Sequence, residues 1–424
     1  MSLAGQFLVR GPVIATGREK WLLLVSLFAV FFVLLMLYAS VLTVLLPNQI
    51  QNIDPTQKTR TLGVVYAITS VFSTITTPVS GALSDRTRTR FGRRAPWILL
   101  GSLVGGIALM LVPSTNNLVI VTGFWLVATV TLNSMQPAIT TIVADRFSTS
   151  ERGRASGVVG AAMTAGVSAG TIYGGLMASH LALAYMLIGG AIILVCFAFV
   201  LLNPEPLPPL VPPLPFRLGA FLRSFWVDPR AHPDFAWAFL GRFTIYMGYT
   251  AVLTYLLYIL EDHIGLSQAS ANKMIARLSS VTFVALVTSA LLSGWLSDRL
   301  GRRKPLVFIS GLMMAAAVAA PLVSPTINGM YVYAVLIGLG YGAFMSVDLA
   351  LMTQVLPVRE TGDEAVGKDL GILTTAINIP QILAPVMAAW LLVATGNNFP
   401  LLFIVAAAFV VIGAFFVLPI RSAR

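Results

Sequence analysis

The sequence is poor in the residues on which most enzymes and metal sites depend. It has one cysteine, Cys196, which excludes an intramolecular disulfide bond, and its three histidines lie far apart in the chain. No group of histidine, cysteine and acidic residues has the spacing of a metal site. A phosphate-binding loop and a dinucleotide-binding glycine motif are also missing. We therefore expect no metal, no cofactor and no enzymatic activity.

Charge is scarce as well. Only 10% of the 424 residues are charged, 57% are hydrophobic and the mean hydropathy is +0.87, whereas about 25% of the residues in a soluble protein are charged. A membrane-spanning helix needs about 20 mostly apolar residues. The stretches without Lys, Arg, Asp or Glu hold one span each, or two separated by turn residues, and predict an all-α multi-pass membrane protein: Trp21–Ile53, Thr61–Ser84, Ala95–Ala144, Ala155–Pro204, Phe243–Leu260, Leu278–Ser297, Pro305–Val347 and Leu370–Ile420.

The charge that is present is mostly positive and unevenly distributed. The formal net charge is +11, and most of the 27 lysines and arginines fall in alternate connecting segments. Lys and Arg concentrate in the short cytosolic loops of membrane proteins. The distribution thus predicts that both termini are cytosolic and that the protein lies in the bilayer of the cytoplasmic (inner) membrane. It does not indicate a nucleic-acid surface.

The order of the predicted spans repeats. One, one, two and two spans precede residue 204, and the same series follows residue 233, which gives twelve transmembrane helices in two six-helix bundles. We expect the bundles to comprise residues 1–202 and 234–424. The segment 203–233 has seven prolines between Pro204 and Pro215, which favours an extended cytosolic spacer followed by a possible interfacial helix.

A short motif also occurs twice, after the second and the eighth span. Each copy has a glycine, three residues, Asp-Arg, and then Gly-Arg-Arg. We expect each aspartate to accept from the N-terminus of a helix in the other half, Asp85 near Gly367 and Asp298 near Gly153, and the two glycines to allow close packing. The arginines would pair with acids such as Asp145 and Glu360. The predicted latch comprises Gly81, Asp85, Arg86, Arg93, Arg94, Asp145, Gly294, Asp298, Arg299, Arg302 and Arg303.

With this paired motif over two sets of six helices, the sequence resembles the major facilitator superfamily along essentially its whole length. The resemblance implies two bundles that rock about a central cavity and expose it to each side in turn. It also implies that the Asp and Arg of the motif hold one conformation and do not bind the substrate.

A finer resemblance is to the glycoside–cation and sucrose–proton symporters of that superfamily. The segments SDRTRTRFGRRAPWILLG, VDLALMTQVLP and GKDLGILTTAINIPQILAP carry it, together with FWLVATVTLNSMQPAITTIVAD in the fourth span. The membrane Asp and Arg of sucrose carriers fall on Ala128 and Thr140 here. The fifth span is also similar to the glycine motif of drug–proton exporters, at Gly157, Gly166, Gly170, Gly174 and Gly175, with Thr171 in place of the proline.

Two ionisable residues lie well inside predicted spans. Asp348 is nine residues before Pro357 and Arg242 nine residues after Pro233, so both lie roughly 13 Å from the cytosolic helix ends. Ionisable groups in a bilayer face a cavity or pair with each other. Our hypothesis is that Asp348 and Arg242 face each other and that Asp348 exchanges a proton or releases Arg242 when substrate binds. A permanent structural pair is the alternative.

Polar and aromatic side chains in other spans are candidates for the substrate cavity. Aromatic rings with amides suit a sugar ring, and they suit a flat cation equally well. We predict a secondary transporter of a small organic solute that acts as a monomer. A glycoside coupled to protons is favoured, sodium stays open, a drug–proton exporter is the alternative, and a non-transporting receptor is disfavoured. The candidate cavity residues are Tyr38, Trp125, Asn133, Gln136, Tyr246, Tyr249, Asn378 and Gln381.

Overall fold

The computed structural model describes residues 14–89, 91–205, 230, 232–301, 303–355 and 363–420, and within these ranges it leaves out the side chains of 149, 298, 349–350, 352–375 and 378. Most of the proline-rich segment and the predicted partner Glu360 therefore lie outside the described residues.

The described part of the chain is helical and contains twelve long helices. The turn residues that were predicted to divide the long apolar stretches fall between consecutive helices. In chain order the helices are α1 (Gly17–Ile53), α2 (Lys58–Arg86), α3 (Ala95–Leu111), α4 (Leu118–Arg146), α5 (Thr149–Met177), α6 (Leu181–Leu202), α7 (Pro233–Thr254, continued by Leu256–His263), α8 (Gln268–Leu300), α9 (Lys304–Val323), α10 (Ile327–Val355), α11 (Asp363–Ala394) and α12 (Phe399–Phe415).

The ends of the helices follow from local chemistry. Asn117 precedes α4, and its side chain accepts hydrogen bonds from the backbone N–H groups of Val119 and Ile120. Asn398 caps α12 in the same way, through the N–H of Leu401. Short polar side chains at this position satisfy N–H groups that the helix itself leaves unpaired. The turns predicted inside the long apolar stretches are therefore present.

Length and hydropathy support membrane insertion. In the described residues eight helical segments are long and apolar enough to cross a membrane, or nine if the two parts of α7, bent by 55°, count as one span. Helices α5 and α6 enter that count as one segment of 53 residues, and α11 and α12 have shorter apolar runs. Twelve spans and cytosolic termini remain predictions.

The helices group into two compact units. The first comprises the described parts of Met1–Ala39, Ile68–Gly170 and His180–Phe216, and the second those of Ser40–Ala67, Thr171–Ser179 and Arg217–Arg424. In the first unit α3 packs against α4 and α6, and in the second α10 packs against α8 and α9 while α7 packs against α11 and α12. Parts of α1, α2 and α5 thus belong to the unit that holds the second half of the sequence.

Candidate functional site

The second unit has an ion pair in its interior. A guanidinium nitrogen of Arg242 on α7 lies 2.7 Å from a carboxylate oxygen of Asp348 on α10. Arg242 is 8% exposed and Asp348 only 2% exposed. Burying either charge alone is costly, and pairing offsets part of that cost. The structure therefore brings together the two residues that the sequence singled out by their depth.

A group of tyrosines lies on the same faces of these two helices. Tyr246 follows Arg242 by one helical turn, and its hydroxyl lies 3.2 Å from the hydroxyl of Tyr341. The Tyr246 hydroxyl also donates to the sulfur of Met345 at 3.3 Å. The rings of Tyr249 and Tyr341 stack with their centroids 5.0 Å apart. Tyr246 and Tyr249 were predicted from the sequence, whereas Tyr341 was not. Tyr341 lies two turns before Asp348 on α10 and was detectable from that spacing.

The first unit holds four of the predicted cavity residues. The Tyr38 hydroxyl and the Trp125 indole N–H are buried and have no hydrogen-bond partner among the described residues. Asn133 donates to the Ser73 hydroxyl at 3.2 Å and to the Thr129 carbonyl at 2.9 Å. A buried donor without a partner costs about 1–3 kcal/mol. Tyr38 and Trp125 therefore keep a hydrogen-bonding capacity that the described residues do not use.

The remaining predicted cavity residues are Gln136, the fourth of the first unit, and two residues on α11. Gln136 on α4 is half-buried, and Gln381 on α11 is exposed. The side chain of Asn378 lies outside the described residues. Among those residues no three histidine, cysteine, aspartate or glutamate side chains gather as a metal site requires.

The predicted latch residues of the first motif form a charged cluster within the first unit. Arg94 lies 2.6 Å from Asp85 and 3.3 Å from Asp145, and Arg93 lies 2.8 Å from Asp145. The Arg94 side chain is 5% exposed, whereas that of Asp85 is 59% exposed. The structure thus joins the end of α2, the start of α3 and the end of α4 through two arginines.

Glu205 completes this cluster and was not predicted. Its carboxylate accepts from the backbone N–H groups of Arg94 at 2.7 Å and Ala95 at 3.2 Å, at the start of α3. An acceptor at a helix N-terminus satisfies unpaired N–H groups and interacts favourably with the helix dipole. Gly92 packs against the same carboxylate with a φ of +97°, a conformation that favours glycine. We call Asp85, Arg93, Arg94, Asp145 and Glu205 the inner cluster, after the predicted orientation.

The second motif has the same turn but fewer described contacts. Gly301 also has a positive φ, +60°, and ends α8. Arg299 lies 5.3 Å from the ring of Trp295. Arg303 precedes α9, and Arg86 lies in the last turn of α2. Arg302 lies outside the described residues, as do the side chains of Asp298 and of the start of α11, where Gly367 was expected beside Asp85.

The described residues show no close approach at the first glycine of either motif, so the packing role expected for it stays a prediction. A Cβ atom on Gly294 would meet no described atom within 4 Å, and one on Gly81 would meet Pro137 at 3.5 Å, an ordinary contact. Gly153 is equally open. The glycines that the backbone requires are Gly92 and Gly301, because they turn the chain into the Arg-Arg pair.

A second polar cluster lies within the second unit, at the opposite predicted side of the membrane. The Lys58 ammonium lies 3.0 Å from Glu261 and 2.9 Å from Asp262. The side chains of Lys58 and Glu261 are 13% and 6% exposed. The ammonium also lies 4.7 Å from the centre of the Tyr258 ring, within the range of a cation–π contact. This bridge joins the start of α2 to the end of α7.

Amides extend the cluster from α1 to α8. Asn48 and Asn272 exchange hydrogen bonds of 2.8 and 2.9 Å and are both buried. Gln268 donates to Asn48 at 2.9 Å and to Asn52 at 3.0 Å. The outer cluster comprises Asn48, Lys58, Glu261, Asp262, Gln268 and Asn272. None of these was predicted from the sequence.

Irregular helix accompanies the outer cluster. Val41–Leu45 in α1 and Ile259–His263 after α7 are π-helical. The Tyr66 hydroxyl donates to the carbonyl of Leu42, inside the first of these turns. The Tyr258 hydroxyl donates to the carbonyl of Pro47 at 3.0 Å. Short π-helical turns occur frequently at functional sites.

Comparison with known proteins agrees with this architecture. The family model described as Major Facilitator Superfamily matches residues 27–363 and 274–424. The chain belongs to the major facilitator superfamily. Membership places it among membrane transport proteins rather than enzymes, and confirms the resemblance based on the paired motif.

Individual relatives match over shorter segments. The inner membrane symporter YicJ of Escherichia coli (strain K12) is 39% identical over 57 residues, 13% of this chain and 12% of that protein. A di-/tripeptide transporter of Lactococcus lactis subsp. cremoris is 27% identical over 188 residues, 44% of this chain and 36% of that protein. The chain therefore matches well under two-thirds of the length of these relatives.

Solved structures share the fold over nearly the whole chain. A bacterial homologue of the human lysosomal transporter Spinster, in an inward-facing and unoccupied conformation, has a TM-score of 0.71 at 14% identity and covers 96% of this chain and 99% of its own. A mutant of the nucleoside transporter NupG has a TM-score of 0.72 at 14% identity, with 94% and 99% coverage. At this identity the likeness establishes the fold alone.

Proposed function

We propose that the protein is a secondary active transporter of a small, neutral, sugar-like solute, driven by a proton gradient. The observation that carries the proposal is the buried ion pair between Arg242 and Asp348, beside a group of tyrosines. Within the membrane such a pair is expensive to maintain and marks an ion pathway more often than a structural contact.

The proposed coupling follows from the charges of the pair. A proton on Asp348 removes the negative charge that holds Arg242, whose guanidinium stays charged at all accessible pH values. Arg242 then loses its carboxylate partner, and the donors that held Asp348 can bind another acceptor. In this scheme a hydroxyl-rich solute accepts hydrogen bonds from Arg242, and release of the solute restores the pair. The solute and the proton therefore bind together.

The sugar-like class rests on the polar groups of the first unit. Tyr38 and Trp125 each have a buried donor with no partner in the described part of the chain, and Asn133 and Gln136 add amides on α4. A solute with several hydroxyl oxygens satisfies such donors without carrying charge. The name of the relative YicJ also describes a symporter, which agrees with coupled import.

The glycines of α5 receive a simpler explanation than a drug–proton exchange motif. A Cβ atom on Gly166 would lie 2.5 Å from the carbonyl of Phe32, and one on Gly175 would lie 2.5 Å from the carbonyl of Asn272. Small residues of this kind allow membrane helices to approach closely. Packing thus accounts for four of the five glycines in the pattern, all but Gly157, and the pattern gives no separate support to an exporter.

The wider scheme is part of the same proposal. The halves 1–202 and 234–424 alternate access to the solute, the predicted latch residues of the two motifs hold one conformation, and the protein works as a monomer in the cytoplasmic membrane. The segment 203–233 connects the halves on the cytosolic side.

The first test uses the purified protein in liposomes with a pH dye in the lumen and no imposed gradient. Addition of a transported glycoside is expected to acidify the lumen, because a proton enters with each solute. Alkalinisation on addition of lipophilic cations, with no response to glycosides, would instead assign the protein to the exporters.

Asp348→Asn tests the coupling residue. The variant keeps the shape of the side chain but cannot exchange a proton, so we expect it to lose accumulation above the external concentration while solute exchange across the membrane continues. Asp54→Asn is the matched control, because Asp54 lies in the loop between α1 and α2 and bonds to Thr56 and Gln57. Unchanged accumulation in Asp348→Asn would refute the coupling role.

A further inference from the structure

The tyrosine group beside the ion pair has an accessible surface. Tyr246 is buried beneath it, but Tyr249 and Tyr341 are half-buried and Met345 is 40% exposed. The accessible surface of Tyr249, Tyr341 and Met345 is called the aromatic platform below. It lies along α7 and α10, one to two turns from Arg242 and Asp348.

The platform is on the interior side of α10. At about 100° per residue, Tyr341, Met345 and Asp348 fall within about 60° of one another around the helix. The exposed, apolar Val332 lies about 180° from Tyr341 on the same helix. Val332 therefore lies on the side suited to lipid, and the exposed surfaces of Tyr341 and Met345 lie on the opposite side of the helix.

Two rings of the platform are already stacked on each other. Tyr249 and Tyr341 are nearly parallel, with 17° between their planes and 5.0 Å between centroids. The hydrogen bond from Tyr246 to the sulfur of Met345 and the edge contact of Tyr246 with Tyr341 hold the platform in place. Parallel aromatic rings and a thioether are both favourable neighbours for a third aromatic ring.

We propose that the aromatic platform binds an aromatic ring of the solute, with Tyr341 as the residue that selects for it. The inference rests on the proposed function and narrows its substrate class to a neutral polyol that carries an aryl group, such as an aryl glycoside or a nucleoside. The polyol part pairs with donors such as Arg242, and the ring stacks on Tyr341.

Binding measurements test this without relying on transport. Ligand-induced thermal stabilisation of the purified protein is measured with phenyl β-glucoside against methyl β-glucoside, and with adenosine against ribose. We expect the aryl member of each pair to bind about tenfold more tightly, the ratio that one good aromatic stack gives. Equal affinities within both pairs would overturn the proposal.

Substitutions at Tyr341 assign the preference to the platform. Tyr341→Phe keeps the ring and loses the hydroxyl contact with Tyr246, so it should retain the preference. Tyr341→Leu removes the ring. It should lower the affinity for the aryl ligand to that for the matched ligand without an aryl group, and the affinity for the matched ligand should not change. Tyr331→Leu, at the start of the same helix, is the control and should keep the wild-type ratio. A preserved ratio in Tyr341→Leu would overturn the role of Tyr341.

The outcomes separate this inference from the proposed function. Acidification by methyl and phenyl glycosides alike, with equal affinities, supports the sugar transporter and refutes the platform. Tight binding of adenosine with no response to any glycoside supports the platform and refutes a glycoside as cargo. If Tyr341→Leu does not fold, the wild-type ratios together with Tyr341→Phe still decide.

Discussion

The inner and outer clusters are built from similar residue types but connect different parts of the chain. The inner cluster joins Asp85, Arg94, Asp145 and Glu205, all from the first half of the sequence and all in the first unit. The outer cluster lies in the second unit and joins Lys58, from the first half of the sequence, to Glu261 in the second. The inner cluster is thus a brace within one half, whereas the outer cluster ties parts of both halves.

Burial differs between the clusters in a way that decides their energetics. In the inner cluster the arginine is buried, but its partners Asp85 and Asp145 are 59% and 31% exposed. In the outer cluster the side chains of Lys58 and Glu261 are only 13% and 6% exposed. Removing the partner of a hydrated carboxylate costs little free energy, whereas removing the partner of a buried carboxylate costs much more. The outer cluster is therefore expected to be the more sensitive of the two.

Lys58→Met should have the largest effect. It leaves Glu261 buried without a cation, at a cost of about 3–5 kcal/mol. We expect segment 40–67, together with the end of α5 that packs against it at Gly174, to separate from the end of α7 and the start of α8. At 1.4 kcal/mol per factor of ten, the open population should rise by about a hundredfold to a few thousandfold. The reactivity of Ala276→Cys towards a thiol reagent measures this in a Cys196→Ser background, because Ala276 is 5% exposed and packs against Gly175.

Two further variants check the origin of that effect. Arg60→Met is the matched control, since Arg60 is a nearby cation on the same helix whose side chain bonds to Gln57. It should leave the cysteine unreactive. Glu261→Gln added to Lys58→Met removes the buried charge and should restore part of the protection. If Lys58→Met leaves Ala276→Cys unreactive, the bridge does not hold the outer cluster together.

Asn272→Ala should have an intermediate effect. Asn48 loses one partner but keeps bonds to the Val44 carbonyl and to Gln268. We expect a cost of about 1–2 kcal/mol and a smaller rise in the reactivity of Ala276→Cys than in Lys58→Met. Because the amides carry no charge, the rise should not depend on salt. Asn52→Ala, which removes the exposed partner of Gln268, is the control, and an equal effect of both substitutions would contradict a special role for the buried pair.

The buried ion pair and the two clusters show which contacts can be predicted from a sequence. Arg242 and Asp348 stood out because ionisable residues are rare in apolar stretches, and the Asp-Arg motif stood out because it occurs twice. Asn48 and Asn272 gave no such signal, since amides are common near helix ends and their pairing depends on how distant helices meet. Helix number and breaks followed from composition and turn residues, which act locally.

Glu205 and the motif glycines are further examples of features that could not be predicted from the sequence. Glu205 lies between prolines and looked like part of a spacer, yet it caps α3 from 110 residues away along the chain. From the sequence, close packing was expected at Gly81 and Gly294, whereas positive φ angles occur at Gly92 and Gly301. Spacing identified the motif, but only the backbone showed which glycine it requires.

Arg94→Met should have the smallest effect of the three. Asp85 remains hydrated and Asp145 keeps Arg93 at 2.8 Å, so the cost is about 1 kcal/mol, a fall of about 2 °C in the apparent melting temperature. Arg88→Met, whose side chain bonds to the carbonyls of Asp85 and Thr87, should change less. The reactivity of Ala276→Cys should not change, because the inner cluster braces the first unit only. If the apparent melting temperature falls further in Arg94→Met than in Lys58→Met, the order of the two clusters is reversed, and the inner cluster contributes more to stability than the outer one.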